Sequence, residues 1–381
     1  MAPHWIWLQP DWPNFNWQAE RLAPLLRECV QAHGRLMGMT SSVGSSLNAQ
    51  SELDALLQNI VTSSAIEGET LNVGSVRSSL ARRLGLEQLD GDHVSQISEG
   101  LAQLILDATQ HAAQPLTLER LLRWHEWLFP APESDLAARP IHVGALRDDE
   151  AMQVVSGRLD RPTVHFEAPP RLGLQQQLDT FLAWFEASQY QDGLDPLLRA
   201  GIAHFWFVTL HPFDDGNGRL TRTLTDLALA QGEAQAVRFH AMSASILEDR
   251  AGYYRVLESS QKSTTDITEW LEWFLKTLLR SLQQAMIRIE SVLGKARFWQ
   301  AHRGSALKAE QTKVLNRLLD GGERGFEQGI SAAQYQAVAK VSKATATRHL
   351  AELMEKGCLR RLPGGGRSTR YQISYPDQLT H

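Results

Sequence analysis

The chain has 381 residues, 43 acidic against 38 basic side chains and a net charge of −5, enough for two to three domains and a sizeable core. Only Cys29 and Cys358 occur, which excludes a disulfide framework and fits a reducing compartment. No basic leader precedes an apolar run and no apolar stretch reaches membrane-spanning length, so a cytoplasmic protein with no membrane contact is expected.

The first forty residues are rich in tryptophan: Trp5, Trp7, Trp12 and Trp17 precede or open a helix expected from about Asn16 to Met37. These rings are read as packing that clamps the segment onto the rest of the chain. Leu53, Leu56, Leu57, Ile60 and Val61 then follow the i, i+3, i+4 spacing of an amphipathic helix over about 46–68, with Gly68 as its stop. Glu67 falls at the negative end of that helix dipole, a poor place for a carboxylate unless a cation faces it. Further on, Met152–Val155 and Thr163–Phe166 read as two short strands of a hairpin spanning 152–168, joined by a polar Ser-Gly stretch and followed by Pro169-Pro170. His142 and His165 lack metal-ligand spacing and are read as structural or solvent-facing.

Residues 211–222, HPFDDGNGRLTR, carry the chemistry. The run Leu198–Leu210 before them is strongly apolar, and Leu220, Leu224 and Leu227 resume helical spacing after them. The motif therefore sits in a tight loop between two buried helices. Its glycines open the second helix, where free amides and the positive dipole end make an anion cradle. Within a dozen residues lie a candidate base (His211), a carboxylate (Asp215), a Gly216-Asn217-Gly218 turn and two arginines (Arg219, Arg222). That set can hold a metal-bound polyphosphate beside a proton acceptor. The competing reading is a helix-capping histidine with arginines in surface ion pairs.

At these residues the chain resembles the Fic family, whose signature HPFx(D/E)GNGRxxR is filled at every fixed position. The resemblance implies a mainly α fold: a Fic-fold helical bundle with a small β-hairpin flap. It also implies a nucleotidyltransferase, an adenylyltransferase that moves AMP from ATP to a protein hydroxyl and releases pyrophosphate. His211 becomes the general base and Asp215 the Mg²⁺ ligand. Gly216, Asn217 and Gly218 form the anion hole, Arg219 and Arg222 grip the outer phosphates, and Phe213 anchors the loop. Ser63-x-x-x-Glu67-Gly68 matches the family's inhibitory motif, which implies that Glu67 pairs with Arg222 and keeps ATP in a non-productive pose. Glu69 leaves open which acid reaches the site. The hairpin 152–168, with Gly144 and Arg147 before it, matches the flap on which a Tyr, Thr or Ser of a target protein docks by strand addition. The alternatives are a de-adenylyltransferase using the same site, with Glu67 orienting water, and a DNA-binding regulator whose Fic core senses nucleotide.

Residues 247–254 are expected to open another helix, and the resemblance places Tyr253 or Tyr254 at the adenine; the competing reading is core or rim. Ile267, Trp270, Leu271, Trp273, Phe274 and Leu275 continue as a core helix. The segment 302–381 reads as a separate module. Val314, Leu315, Leu318 and Leu319 form one helical face, and Ser331 caps a second helix. A third runs from Ser342 to Met354 and stops at Gly357, and strands Cys358–Leu362 and Arg370–Ile373 flank a Gly364–Gly366 turn. This order resembles a winged helix-turn-helix, with Lys343, Thr345, Thr347 and Arg348 on the recognition helix and Arg360, Arg361, Arg367 and Arg370 on the wing. Residues 301–381 hold 13 Lys/Arg against 7 Asp/Glu, a basic module on an acidic body, suited to DNA phosphates or to protein docking. The expected division is thus 1–110 (N-terminal helices with the inhibitory segment), 111–295 (catalytic core) and 302–381. A homodimer is left open; no coiled-coil heptads are present.

Overall fold

A computed structural model of the chain describes residues 5–41, 45–86, 94–130, 141–158, 161–232, 240–321, 326, 328–363 and 369–375. The chain divides into two compact units, Met1–Met286 and Ile287–His381. It is mainly helical, as the resemblance implies. After a 3-10 turn at Ile6–Leu8 come α1 (Ala19–Ser41), α2 (Ser45–Ile66), α3 (Val73–Arg83), α4 (Gln96–Gln110) and α5 (Leu118–Leu128). Strands β1 (Gln153–Arg158) and β2 (Arg161–Glu167) follow, then α6 (Leu174–Ser188), α7 (Pro196–Leu210), α8 (Asn217–Gly232), α9 (Met242–Glu248), α10 (Arg250–Gln261) and α11 (Thr268–Ala301). No helix of the described residues is long and apolar enough to cross a membrane.

The first unit is organised around α7, which is buried at every residue from Leu197 to Leu210. Asp195 caps it by accepting from the Leu197 amide at 2.8 Å, and Pro196 fills the first turn, where no amide donor is needed. Gly201 lets α11 approach closely: a Cβ there would lie 2.9 Å from Leu271, and the Trp270 indole donates to the Gly201 carbonyl at 2.8 Å. α8 packs along α7, and α2 packs against α8 and α9, so the predicted inhibitory helix shares a core with the signature helix.

The first helix starts later than the sequence suggests. Asn16 is held extended by a bridge to Asp266, with its amide on the Thr265 carbonyl and its carbonyl on the Ile267 amide, so helix begins only at Ala19. The tryptophans before it do clamp: Trp5 meets Phe166 edge-on at 5.4 Å, the Trp7 indole donates to the Glu167 carbonyl at 2.8 Å, and Trp12 packs on Trp206. The hairpin lies within its expected bounds, but its strands are longer than expected. Its ladder continues through Ser156↔Thr163 and Gly157↔Pro162 to Arg158↔Arg161, with a bulge at Val154/Val155, because cross-strand pairing extends into a segment whose composition reads as loop.

In the second unit, α12 (Ala309–Asp320), α13 (Ala332–Ala339) and α14 (Lys343–Glu355) precede the antiparallel strands β3 (Leu359–Arg361) and β4 (Tyr371–Ile373). Phe298, Leu315, Tyr335, Leu350, Leu353 and Ile373 close a core of their own. Ser331 and Ser342 cap α13 and α14 by accepting from the amides of Gln334 and Thr345. Lys343, Thr347 and Arg348 are exposed on α14, and Arg360 and Arg361 on β3. The Gly364–Gly366 turn and Arg367 lie outside the described residues.

Candidate active site

The signature is folded as a bend between α7 and α8. His211 ends α7 in the left-handed region (φ 49°, ψ 57°), an uncommon conformation for a residue with a Cβ. Arg147 holds it there. Its Nε donates to the His211 carbonyl at 2.9 Å, its amide donates to the Pro212 carbonyl at 3.0 Å, and its Nη2 donates to the Pro169 carbonyl. The half-buried His211 ring has its Nδ1 on the Val208 carbonyl at 3.1 Å. A carbonyl only accepts, so Nδ1 carries the proton and Nε2 is left with its lone pair. Burial holds the imidazole pKa below its ordinary value, and the nearby Arg147 adds to this, so the ring is neutral at pH 7. A neutral ring with a free Nε2 is the form a general base requires.

Phe213 is fully buried and stacks on His125, with ring centroids 4.4 Å apart and planes 9° from parallel. The Gly144 amide donates to His125 Nδ1 at 3.0 Å, which leaves Nε2–H to donate to the Asp215 carbonyl at 3.2 Å. Burial lowers the His125 pKa and preserves this arrangement. Asn217 secures the same turn: its side-chain amide donates to the Phe213 carbonyl at 2.8 Å and accepts from the Phe213 amide at 3.0 Å. The Asn217 side chain is therefore committed to the loop, and what it can offer an anion is its backbone amide. The first intrahelical bond of α8 runs from Leu220 to Gly216, so the Asn217, Gly218 and Arg219 amides all lie in the open first turn. Gly216, at φ 79°, makes the turn possible.

Asp215 points outward, its side chain 58% exposed, with one oxygen on the Gly216 amide. Among the described residues no group of three or more His, Cys, Asp or Glu side chains could hold a metal ion. A single outward carboxylate beside an amide cradle fits an ion that arrives with phosphate oxygens as its other ligands. Asp214, the variable position, instead accepts from the His142 amide and from its Nδ1 at 2.7 Å, which raises the pKa of that exposed histidine. His165 bridges the hairpin to α10, between Ser156 and Glu258.

Both signature arginines are already engaged. Arg222, with 3% of its side chain exposed, donates from Nε to Ser63 Oγ (2.8 Å) and from Nη2 to the Ser63 carbonyl (3.0 Å) and Glu67 Oε1 (2.7 Å). Arg219 donates from Nη1 to Glu69 Oε2 at 2.7 Å and lies over the Phe129 ring at 4.9 Å. Gly68 ends α2 as expected, at φ 86°: its amide bonds the Ala65 carbonyl and the Glu69 amide bonds the Ser64 carbonyl. Glu67 Oε1 also crowds the cradle, since a Cβ at position 218 would lie 2.1 Å from it.

Behind Arg222 lies a buried polar layer with little signal in the sequence. Asp226 accepts from Asn59 Nδ2 at 2.7 Å, and Asn59 Oδ1 accepts from the Ser243 amide, tying α2, α8 and α9 together. Burial pushes the Asp226 carboxyl up to about 7. His204 bonds Thr225 through Nδ1 and the Tyr253 hydroxyl through Nε2, and burial lowers its pKa to about 3. Tyr253 is thus a core residue whose hydroxyl is taken. Tyr254 is the half-buried member of the pair, packed under the Arg250 guanidinium. The expected helix start at 247 is also displaced: Leu247 and Glu248 finish α9, and Asp249 caps α10 by accepting from the Gly252 amide.

Residues 115–229, from α5 through most of α8, match the Fic/DOC family. The chain carries a Fic/DOC domain. Residues 5–86, which include α2 and the two acids, match a family described as Domain of unknown function (DUF4172). The ion pairs of the two arginines thus join residues from both matched stretches. Fic-type relatives include the protein adenylyltransferase Fic of Drosophila willistoni, 25% identical over 228 residues that make up 57% of this chain and 42% of that protein. The same-named protein of Drosophila virilis is also 25% identical, over 43% of its length. The chain therefore spans less than half of these curated relatives. Among solved structures, a Fic family protein from Desulfovibrio desulfuricans superposes with a TM-score of 0.53 at 21% identity, covering 93% of this chain and 95% of that one. A Fic domain containing signaling protein from Bacteroides thetaiotaomicron gives 0.51 at 18%, covering 69% and 97%. The Fic fold is shared; these likenesses speak to the fold alone.

Proposed function

We propose that the chain is a protein adenylyltransferase that transfers AMP from Mg·ATP to a Tyr, Thr or Ser hydroxyl of a protein target and is held in check by Glu67. The observation that carries this is the His211 ring: with Nδ1 engaged on Val208, Nε2 keeps its lone pair, on a residue that leads directly into the Gly216 turn opening the α8 amide cradle. His211 Nε2 takes the proton of the target hydroxyl as that oxygen attacks the α-phosphorus. The bond to the bridging oxygen breaks, and pyrophosphate leaves with the electron pair. The amides of Asn217, Gly218 and Arg219 stabilise the charge that grows on the phosphate oxygens. Arg219 and Arg222 orient the outgoing phosphates through bidentate forks. Mg²⁺, carried in with the nucleotide and held by Asp215, would neutralise charge between the α- and β-phosphates. Arg147, His125 and the side chain of Asn217 reach no substrate; they fix the backbone on which the reacting groups sit. In this reading Tyr254 lines the adenine pocket, and Val155, 50% exposed on β1, gives the hairpin an apolar spot where an extended target segment can pair.

Glu67 restrains this chemistry by occupying Arg222 and the space over Gly218. Residues 111–295 form the catalytic core in this reading and 1–110 the regulatory region. In this reading residues 302–381 form a winged helix whose exposed α14 face contacts DNA phosphates or docks a protein. Incubation with labelled ATP and lysate tests the central claim. Glu67→Gly should label a target and itself more strongly than wild type, and His211→Ala within that variant should label nothing. Persistent labelling without His211 would remove the assignment. AMP release from a pre-modified target, without incorporation, would reverse its direction.

A further inference from the structure

We propose that Glu69 is a second inhibitory acid, holding Arg219 as Glu67 holds Arg222, so that both phosphate-gripping arginines are occupied by one turn of chain. This rests on the adenylyltransferase reading of the site and deepens its regulation.

The geometry is specific. Gly68 at φ 86° closes α2 with two reciprocal bonds, Gly68 amide to Ala65 and Glu69 amide to Ser64. Glu67 and Glu69 flank that glycine and both carboxylates reach α8. There Arg219 and Arg222, three residues apart, share one helical face. Each acid takes its own arginine at 2.7 Å.

The exposures show which partner is removable. The side chains of Arg219 and Arg222 are 7% and 3% exposed, whereas those of Glu69 and Glu67 are 41% and 31% exposed. The cations belong to the built site, and the acids reach them from the solvent side. Each guanidinium also keeps one buried nitrogen without a hydrogen-bond partner, Arg219 Nε and Arg222 Nη1. An unfilled donor beside a carboxylate is what an anion of more oxygens, such as a triphosphate, would satisfy.

The two pairs are not equivalent. Arg222 keeps two bonds to Ser63 when Glu67 leaves. Arg219 keeps only the Phe129 face and Asp215 at 3.8 Å. Removing Glu67 therefore opens the space over Gly218 while Glu69 still competes for Arg219. Full release requires both acids to go, and the shared Gly68 turn lets them move as one.

The test compares wild type, Glu69→Ala, Glu67→Gly and the double variant, with Glu69→Gln as an isosteric check, in the full chain. Mg·ATP affinity is measured by calorimetry and self-labelling with labelled ATP, after circular dichroism has established folding. Glu69→Ala in the Glu67→Gly background should tighten Mg·ATP binding by up to about fivefold, the range of a partly exposed ion pair, and raise labelling; Glu69→Gln should follow in the same direction. Unchanged or weaker binding in that background, with Glu67→Gly alone still activating, overturns the second lock and leaves the adenylyltransferase reading standing. If no variant binds Mg·ATP, the reading of the site itself fails.

Discussion

Asp226 offers the sharpest physical test of the buried layer. It lies within α8, 4% exposed, with Asn59 as its hydrogen-bond donor. Its carboxyl is pushed up from 3.8 to about 7, mainly by desolvation, against the lowering influence of Asn59 and Arg222. Between those two values the folded state keeps a proton that the unfolded chain releases, so this residue makes stability fall as pH rises through the window. About three pH units at 1.36 kcal/mol each set a ceiling of about 4 kcal/mol. Below pH 4 the penalty is absent; above about pH 7 it is fully developed. Asp226→Asn keeps the acceptor for Asn59 and removes the titration. Thermal unfolding by calorimetry, run from pH 4.5 to 8 on both proteins, should show the variant gaining on wild type as pH rises and holding its advantage above pH 7. Parallel curves would refute the reasoning and mean that Asp226 is solvated or paired in a way that lets it ionise freely.

His204 works in the opposite sense. Its pKa is lowered to about 3, so the unfolded chain takes up its proton first and stability is lost as pH falls from about 6.5; His204→Gln should flatten that acid limb in the same scans. Arg147→Lys cannot reproduce divergent bonds to the His211 and Pro169 carbonyls. It should slow single-turnover labelling about 10- to 100-fold with Mg·ATP affinity nearly unchanged by calorimetry. Gly68→Ala places a Cβ at φ 86°, a strain of about 1–2 kcal/mol. It should lower the melting temperature while raising self-labelling, because both acids lose their aim. Glu67→Gly leaves Arg222 buried without its carboxylate, so the nucleotide-free variant should melt below wild type and gain more from added Mg·ATP.

What the sequence made legible was chemistry local to the chain. The spacing in residues 211–222 placed His211, the glycine turn, Asp215 and the two arginines on one bend, and Gly68 marked the end of α2. Contacts made through backbone carbonyls were opaque. Arg147 and His125 act on the carbonyls of His211 and Asp215, 64 and 90 residues away, and a carbonyl has no side-chain identity to recognise. Tyr253 and Tyr254 show a different limit. Adjacent positions on a helix point about 100° apart, so one of the pair must turn inward. Which one depends on where α10 begins, and the Asp249 cap decides that. The hairpin strands ran longer than their composition suggested because strand length is set by the partner strand as much as by propensity.

The buried layer also gives a reason why Arg222 faces a carboxylate. Arg222 is a nearly inaccessible cation, and below about pH 7 its neighbours behind it do not balance it: Asp226 is held protonated there, and His204 and Tyr253 are neutral. A buried charge without a counter-charge is strongly disfavoured, so the nucleotide-free site needs an anion in front of it. Glu67 supplies that anion here, and on the proposed reading a γ-phosphate, with more oxygens, would take its place at the same fork. On the proposed reading, inhibition and stability of the resting site come from one contact, for which nucleotide would compete with Glu67.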